Sequence, residues 1–247
     1  MQAPEFVLSA TWLLPIAPNN IALADHGIAV QDGRIIALAA TSELLTRYPD
    51  CAHTHLQDQI LMPGLVNAHG HAAMSLMRGI GTGLALQEWL RDAIWPFEAK
   101  HMNAQAVALG TELTIAEMLL SGTTTFADMY FFPETVARVA HQTGMRCQIA
   151  APVIDFATLW SRDADDALHK TMALYDEYRH HPLVNVAFGP HSPYSVKQTQ
   201  LSQIAMYADE LDAAVQIHLH ETRHEVAQAH EQLGHGCLLY TSPSPRD

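Results

Sequence analysis

The stretch Met62-Pro63-Gly64-Leu65-Val66-Asn67-Ala68-His69-Gly70-His71 decides how this 247-residue chain is interpreted. Its apolar and small residues predict a strand over Gly64–His69. In extended backbone, side chains two residues apart point to the same face, so the imidazoles of His69 and His71 can reach one metal ion. Gly70 lets the backbone between them bend close to that ion. Because the chain holds 16 histidines, this spacing alone is weak evidence and needs support from the surrounding sequence.

Downstream of about Leu61, strand patterns alternate with helical patterns. The further strand candidates are Thr123–Met129, Arg146–Val153, Val184–Gly189 and Ala214–His220. The helical patterns are Asn103–Leu120, Pro133–Gln142, Asp163–Arg179, Lys197–Leu211 and Arg223–Leu233. Strands that alternate with long helices predict an α/β fold with a parallel sheet. Five such units fit a doubly wound sheet and an unfinished (β/α)8 barrel equally well.

Upstream of Leu61, the pattern predicts a small β-structure. Asp32-Gly33, a strong hairpin-turn dipeptide, separates the apolar runs 27–31 and 34–38. Strand character at 6–8 and 12–14 precedes this hairpin, and one short helix is predicted over Ser42–Tyr48. The predicted domains are therefore an N-terminal β-domain segment over 1–60 and a strand–helix region over 61–236.

The end of the chain breaks this pattern. Residues 237–247 read CLLYTSPSPRD, with two Ser-Pro steps and no helical or strand continuity. This string resembles one translated frame of a transposase-type adapter used in sequencing libraries. We therefore expect 237–247 to be non-native and exclude it from fold reasoning.

Composition excludes several classes of partner. The formal net charge is -13, and the 13 Lys and Arg residues are scattered, which argues against nucleic acid and anionic membranes. No apolar run approaches the roughly 20 residues that span a bilayer. The start of the chain lacks the features of a signal peptide, and three distant cysteines form no disulfide framework, so a cytoplasmic location is expected.

The segment around His69 resembles the PGxxxxHxH opening of the amidohydrolase superfamily. The residues that follow it, Ala72-Ala73-Met74-Ser75-Leu76-Met77-Arg78-Gly79, are similar to the chlorohydrolase and nucleoside-deaminase branch of that superfamily. The resemblance extends over about 6–236. It implies a (β/α)8 TIM-type barrel, truncated after about five βα units, with a small β-domain built partly from the N-terminus.

The resemblance also implies a set of site residues. His69, His71 and His218 match the metal ligands, and Glu221 matches the carboxylate that shuttles protons. His191, held between two prolines, matches a histidine that contacts the purine, and Glu98 matches a residue that binds ribose hydroxyls. The implied cofactor is one divalent metal, expected to be Zn²⁺. Asp128 is given no role beyond support of the site.

The reaction implied for the complete parent enzyme is hydrolytic deamination of an adenosine-like nucleoside of the 5-methylthioadenosine or S-adenosylhomocysteine type. By analogy, a homo-oligomer is expected. The resemblance calls for two further groups, a histidine ending the sixth strand and an aspartate ending the eighth, and neither lies in this chain. We therefore expect the 247-residue chain itself to be inactive. The alternatives are a guanine or triazine deaminase or chlorohydrolase of the same branch, and a non-catalytic structural or metal-binding α/β fragment.

Overall fold

The computed structural model describes residues 3–233, which divide into two compact units between Leu65 and Val66. The segment 237–247, expected to be non-native, lies outside the described residues. None of the described helices is both long enough and apolar enough to cross a bilayer.

The first unit is a four-stranded sheet with one helix. Its elements are β1 (Phe6–Leu13), β2 (Leu23–Gln31), β3 (Arg34–Ala40), α1 (Thr41–Arg47) and β4 (Ala52–Leu61). The strand order is β3-β2-β1-β4, with β4 parallel to β1 and the other pairs antiparallel. Asp32 and Gly33 both adopt positive φ, as a two-residue hairpin turn requires. Leu44 of α1 is fully buried against Val7 and Ala29.

The second unit is built on a sheet of order β5-β6-β7-β8. These strands are β5 (Leu65–Asn67), β6 (Thr123–Asp128), β7 (Arg146–Val153) and β8 (Val184–Pro190). β6, β7 and β8 pair in parallel, which confirms the α/β prediction for this region. Among the described residues, the sheet ends at β5 and β8 and does not close on itself.

The prediction of a fifth strand over Ala214–His220 is wrong. One bridge joins Val215 to Phe188, and backbone hydrogen bonds continue from Gln216 to Phe188 and from His218 to His191. The segment therefore follows β8 in space without forming a ladder. The physical reason is that β8 ends at Pro190, which has no N–H to donate to a neighbouring strand.

Helices connect these strands. They are α4 (Ala104–Leu120), α5 (Pro133–Thr143), α6 (Ala164–Tyr178), α7 (Gln198–Leu211) and α8 (Arg223–Leu233). Asn103 caps α4, because its side-chain oxygen accepts from the N–H groups of Gln105 and Ala106 at 3.0 Å each. The apolar side chains of α4 are only partly buried: Val107 and Ile115 are enclosed, whereas others stay exposed, among them Leu109, Leu113 and Leu120.

The connection between β5 and α4 is more ordered than the sequence suggested. A 3-10 turn covers Ala72–Met77, and a nearly continuous helical segment follows, made of α2 (Leu86–Glu88), a π-helical turn (Trp89–Ile94) and α3 (Trp95–His101). Glu98 therefore lies on a helix, in the first turn of α3. The core beneath these elements includes the fully buried Phe126 and Ile149 of β6 and β7.

Candidate metal centre

The backbone around Gly70 makes a close approach to the end of β6. A Cβ atom at Gly70 would lie 3.0 Å from the carbonyl oxygen of Ala127 and 3.1 Å from the side chain of Asn67. The carbonyl of Gly70 accepts from the N–H of Met129 at 3.1 Å, which ties this segment to the next strand along the sheet. A side chain at position 70 would push the segment away, so glycine fixes where the flanking histidines lie.

Three imidazoles converge at this end of the sheet. The ring centroids of His69, His71 and His218 lie 5.1–5.2 Å from one another. Their candidate ligand nitrogens all lie within 4.8 Å of one another, and the Nε2 atoms of His69 and His71 are 3.4 Å apart. The structure therefore brings together the three histidines selected from the sequence.

Hydrogen bonds to backbone carbonyls fix the tautomers of two of these rings. Nδ1 of His71 donates to the carbonyl of Met129 at 2.7 Å, and Nδ1 of His218 donates to the carbonyl of His191 at 2.9 Å. In a neutral imidazole, a proton on Nδ1 leaves the lone pair on Nε2. Metal-bound histidines commonly show this support of the second ring nitrogen. The donor set, three imidazoles whose nitrogens lie within 4.8 Å of one another, fits a divalent metal such as zinc.

Burial favours the form of His71 that can bind a metal. Burial lowers the pKa of His71; the Met129 carbonyl opposes this shift, and the neighbouring imidazoles of His218 and His69 add to it. A lowered pKa disfavours the imidazolium, which cannot act as a ligand.

His191 lies directly after β8, beside the cluster. Its ring centroid is 5.0 Å from that of His218, and its backbone N–H donates to the carbonyl of Val153. Burial, followed by the neighbouring imidazoles, lowers the pKa of His191 to about 4, so the ring is neutral near pH 7. The hydroxyls of Ser192 and Ser195 lie 3.3 and 3.2 Å from its Nδ1 and hold the ring in place. Neither serine was selected from the sequence.

Glu98 is brought to the end of β6 through Tyr130. The residue is only 7% exposed, and its carboxylate accepts from the Tyr130 hydroxyl at 2.6 Å. Burial raises the pKa of Glu98, against the opposing effect of this hydrogen bond. Tyr130 was not selected from the sequence, although its position two residues after a strand end is the signal that could have identified it.

Glu221 lies in the turn between the His218 segment and α8. It is exposed, and its backbone N–H donates to the carboxylate of Glu225. The described contacts thus fix the backbone of Glu221 relative to α8.

Asp128 has a more specific environment than the sequence indicated. It is fully buried at the end of β6, where Oδ1 accepts from the N–H of Ala72 at 2.5 Å. Its other carboxyl oxygen has no hydrogen-bond partner among the described residues. Burial raises the pKa of this carboxyl to about 7. The contact fixes the backbone immediately after His71.

Comparison with known proteins agrees with this geometry. Residues 60–244 match the model of the amidohydrolase family. A 5-methylthioadenosine/S-adenosylhomocysteine deaminase from Teredinibacter turnerae is 47% identical over 93% of the chain and 52% of its own length. A zinc-bound adenosine deaminase structure from Xanthomonas campestris superposes with a TM-score of 0.90 at 39% identity, over 97% of this chain and 54% of that one.

An atrazine chlorohydrolase from Arthrobacter aurescens, also complexed with zinc, shares the fold, with a TM-score of 0.80 at 21% identity. The alignment covers 94% of this chain and 56% of that one. The chain thus spans about half the length of the relatives it matches.

Proposed function

We propose, because the chain belongs to the amidohydrolase family, that the whole protein is a metal-dependent deaminase of adenosine-like nucleosides. The observation that carries this proposal is the convergence of His69, His71 and His218, with two of the rings held by backbone carbonyls. The substrate class rests on the 47% identity to a protein named 5-methylthioadenosine/S-adenosylhomocysteine deaminase. We further propose a (β/α)8 barrel of which this chain contributes about five βα units.

The same three histidines would hold the metal, and zinc is the proposed ion because the 39% identical adenosine deaminase structure contains it. When bound, such an ion supplies Lewis acidity and makes water nucleophilic near neutral pH. The supporting carbonyls of Met129 and His191 hold two of the rings in orientation and, in the neutral form, place the proton on Nδ1 and the lone pair on Nε2.

Glu221 would act as the general acid and base. It protonates the ring nitrogen next to the amino-bearing carbon and then assists the departure of ammonia, which is the work of a positioned carboxylate. It stands three residues after His218, where the extended segment turns into α8, and this short separation from a proposed metal ligand supports the assignment. A positioned group of this kind contributes about 10²- to 10⁴-fold to the rate.

Glu98 and His191 would orient the nucleoside. A neutral His191 ring can form hydrogen bonds with a purine nitrogen, and its low pKa prevents it from presenting a competing positive charge. The two oxygens of the Glu98 carboxylate suit the vicinal hydroxyls of ribose, and Tyr130 fixes one of them. This pair favours a nucleoside over a free base or a triazine.

The test is an ammonia-release assay on the protein expressed from its complete reading frame. Adenosine, 5-methylthioadenosine, S-adenosylhomocysteine, guanine and melamine are compared, and bound metal is measured by mass spectrometry. We expect turnover of the adenosine-like substrates, together with loss of turnover but retention of metal in Glu221→Gln. Turnover restricted to guanine or melamine would reassign the substrate. A protein that binds no metal and releases no ammonia would overturn the proposal in favour of a non-catalytic α/β protein.

A further inference from the structure

Glu225 is a buried carboxylate that the proposed chemistry does not use. It lies in the first turn of α8 and is only 5% exposed. One of its oxygens accepts from the N–H of His220 at 2.9 Å, and the other accepts from the N–H of Glu221 at 2.8 Å. Both acceptor atoms are therefore directed at the backbone of the turn that carries Glu221.

The turn is held in a conformation that an unsupported chain would rarely adopt. His220 has φ of 56°, in the left-handed region, which is uncommon for a residue other than glycine. Such conformations persist only where surrounding contacts determine them. Here, the Glu225 carboxylate accepts two hydrogen bonds from the turn and helps to hold it in this conformation. Hydrogen bonds to charged groups are stronger than those between neutral groups.

Thr222 closes the arrangement. Its hydroxyl accepts from the N–H of Glu225 at 3.2 Å, and its carbonyl accepts from the N–H of Val226 at 3.1 Å, so Thr222 is the N-cap of α8. A glutamate three residues after a capping threonine is the capping-box arrangement. In the usual form, the glutamate reaches the N–H of the cap residue itself. In this protein, it reaches the two residues before the cap, and these include Glu221.

We propose that Glu225 is a positioning residue, which fixes the backbone of Glu221 so that the exposed Glu221 carboxylate reaches the substrate. The proposal rests on the proposed function, because it assigns Glu221 the proton transfer. It follows from the geometry that Glu225 acts through the chain of hydrogen bonds and does not contact the substrate. Misplacement of a reacting group by about 1 Å can cost on the order of 10²-fold in rate.

The test compares Glu225→Ala and Glu225→Gln with the matched control Glu231→Gln, which alters an exposed carboxylate on the same helix. The complete protein is used, and kcat, KM, bound metal and hydrogen exchange at the amides of His220 and Glu221 are measured. In Glu225→Ala, we expect kcat to fall about 10- to 100-fold, with KM and metal content unchanged and the two amides exchanging faster. Glu225→Gln should be intermediate, because its amide oxygen can accept one N–H while its nitrogen cannot accept the other.

Distinct results would overturn the proposal. Unchanged kcat in Glu225→Ala, with the two amides exchanging faster, would show that the position of Glu221 does not depend on Glu225. Faster exchange throughout the protein, accompanied by loss of metal, would show a purely structural role. If the wild type deaminates nothing, the proposed function fails. In that case the exchange of the two amides alone decides whether Glu225 fixes the turn.

Discussion

The buried carboxyl of Asp128 makes stability depend on pH in a defined direction. Burial raises its pKa to about 7, from an ordinary value of 3.8, and the hydrogen bond from Ala72 opposes this shift only in part. Between these two values, the folded protein keeps the proton while the unfolded chain has lost it. The stabilisation is therefore fully present below pH 3.8 and is lost as the pH rises through 7.

The size of the effect follows from the two pKa values. Each unit of difference corresponds to about 1.4 kcal/mol, and integration from pH 5 to pH 8 gives a loss of about 2.5 kcal/mol in the free energy of unfolding. Asp128→Asn removes the ionisable group and keeps an oxygen that can accept from Ala72. The free energy of unfolding of the variant, minus that of the wild type, should therefore rise by about 2.5 kcal/mol over this interval.

Urea denaturation at pH 5 and pH 8 measures this difference, with a chelator present so that bound metal does not contribute. Asp165→Asn is the control, because it removes an exposed carboxyl at the start of α6. The reasoning is refuted if Asp128→Asn and Asp165→Asn differ from the wild type by the same free energy of unfolding at both pH values. That result would mean that the folded protein accommodates the Asp128 carboxylate in its charged form.

Three further predictions test the surroundings of the site. Gly110→Ala would gain about 1 kcal/mol in helix propensity, but its Cβ would lie 2.7 Å from the backbone of the adjoining 3-10 turn, so we expect the free energy of unfolding to fall by about 1–2 kcal/mol. Thermal denaturation measures this change, and a stabilised variant would show that the turn moves aside at little cost. Tyr130→Phe removes the hydrogen-bond donor to the buried Glu98 and should raise KM for adenosine more than KM for adenine in steady-state kinetics. Equal effects on the two KM values would show that Glu98 does not recognise the ribose. Loss of a residue that supports a metal ligand costs roughly 10- to 100-fold in metal affinity, and His218→Ala should cost more than that, whereas replacing the exposed His230 with Ala should leave metal affinity unchanged. Equal metal content in the two variants would exclude His218 as a ligand.

Regular elements with clear boundaries could be predicted from the sequence. β7 and α8 have the predicted bounds, and α5 ends one residue later than predicted, at Thr143, just before Gly144, which adopts positive φ. In these segments, local pattern and tertiary packing favour the same structure, so propensity alone is sufficient. The hairpin at Asp32-Gly33 was predicted correctly for the same reason, because the residues of the turn determine its conformation locally.

Elements that depend on distant partners could not be predicted in this way. β4 alternates few apolar residues with many exposed polar ones, and its strand character comes from parallel pairing with β1, which lies far away in sequence. The stretch from Leu86 to His101 has no long apolar period, and Pro96 suggests a break. In the structure, this proline lies in the first turn of α3, where a missing N–H is tolerated.

The site residues divide in the same way. The three histidines, Glu98, His191 and Glu221 were selected because they match residues of the family whose side chains carry the chemistry. Tyr130 and Glu225 were not selected, and Asp128 was given only a supporting role, because each acts through a hydrogen bond to a backbone amide or a distant carboxylate that only the folded chain creates. A sequence motif points to candidates for the reacting groups, whereas the groups that hold those candidates in place are recognised only in the tertiary structure.

Backbone atoms, and not side chains, support two of the three imidazoles. His71 is held by the carbonyl of Met129 and His218 by the carbonyl of His191, so both supports are backbone atoms at the ends of β6 and β8. Replacing the side chain of Met129 leaves its carbonyl in place, whereas a one-residue slip in the register of β6 would remove it. The orientation of the ligand nitrogens therefore depends on the register of the strands more than on side-chain identity at these two positions. This dependence connects the parallel sheet to the geometry of the candidate metal centre.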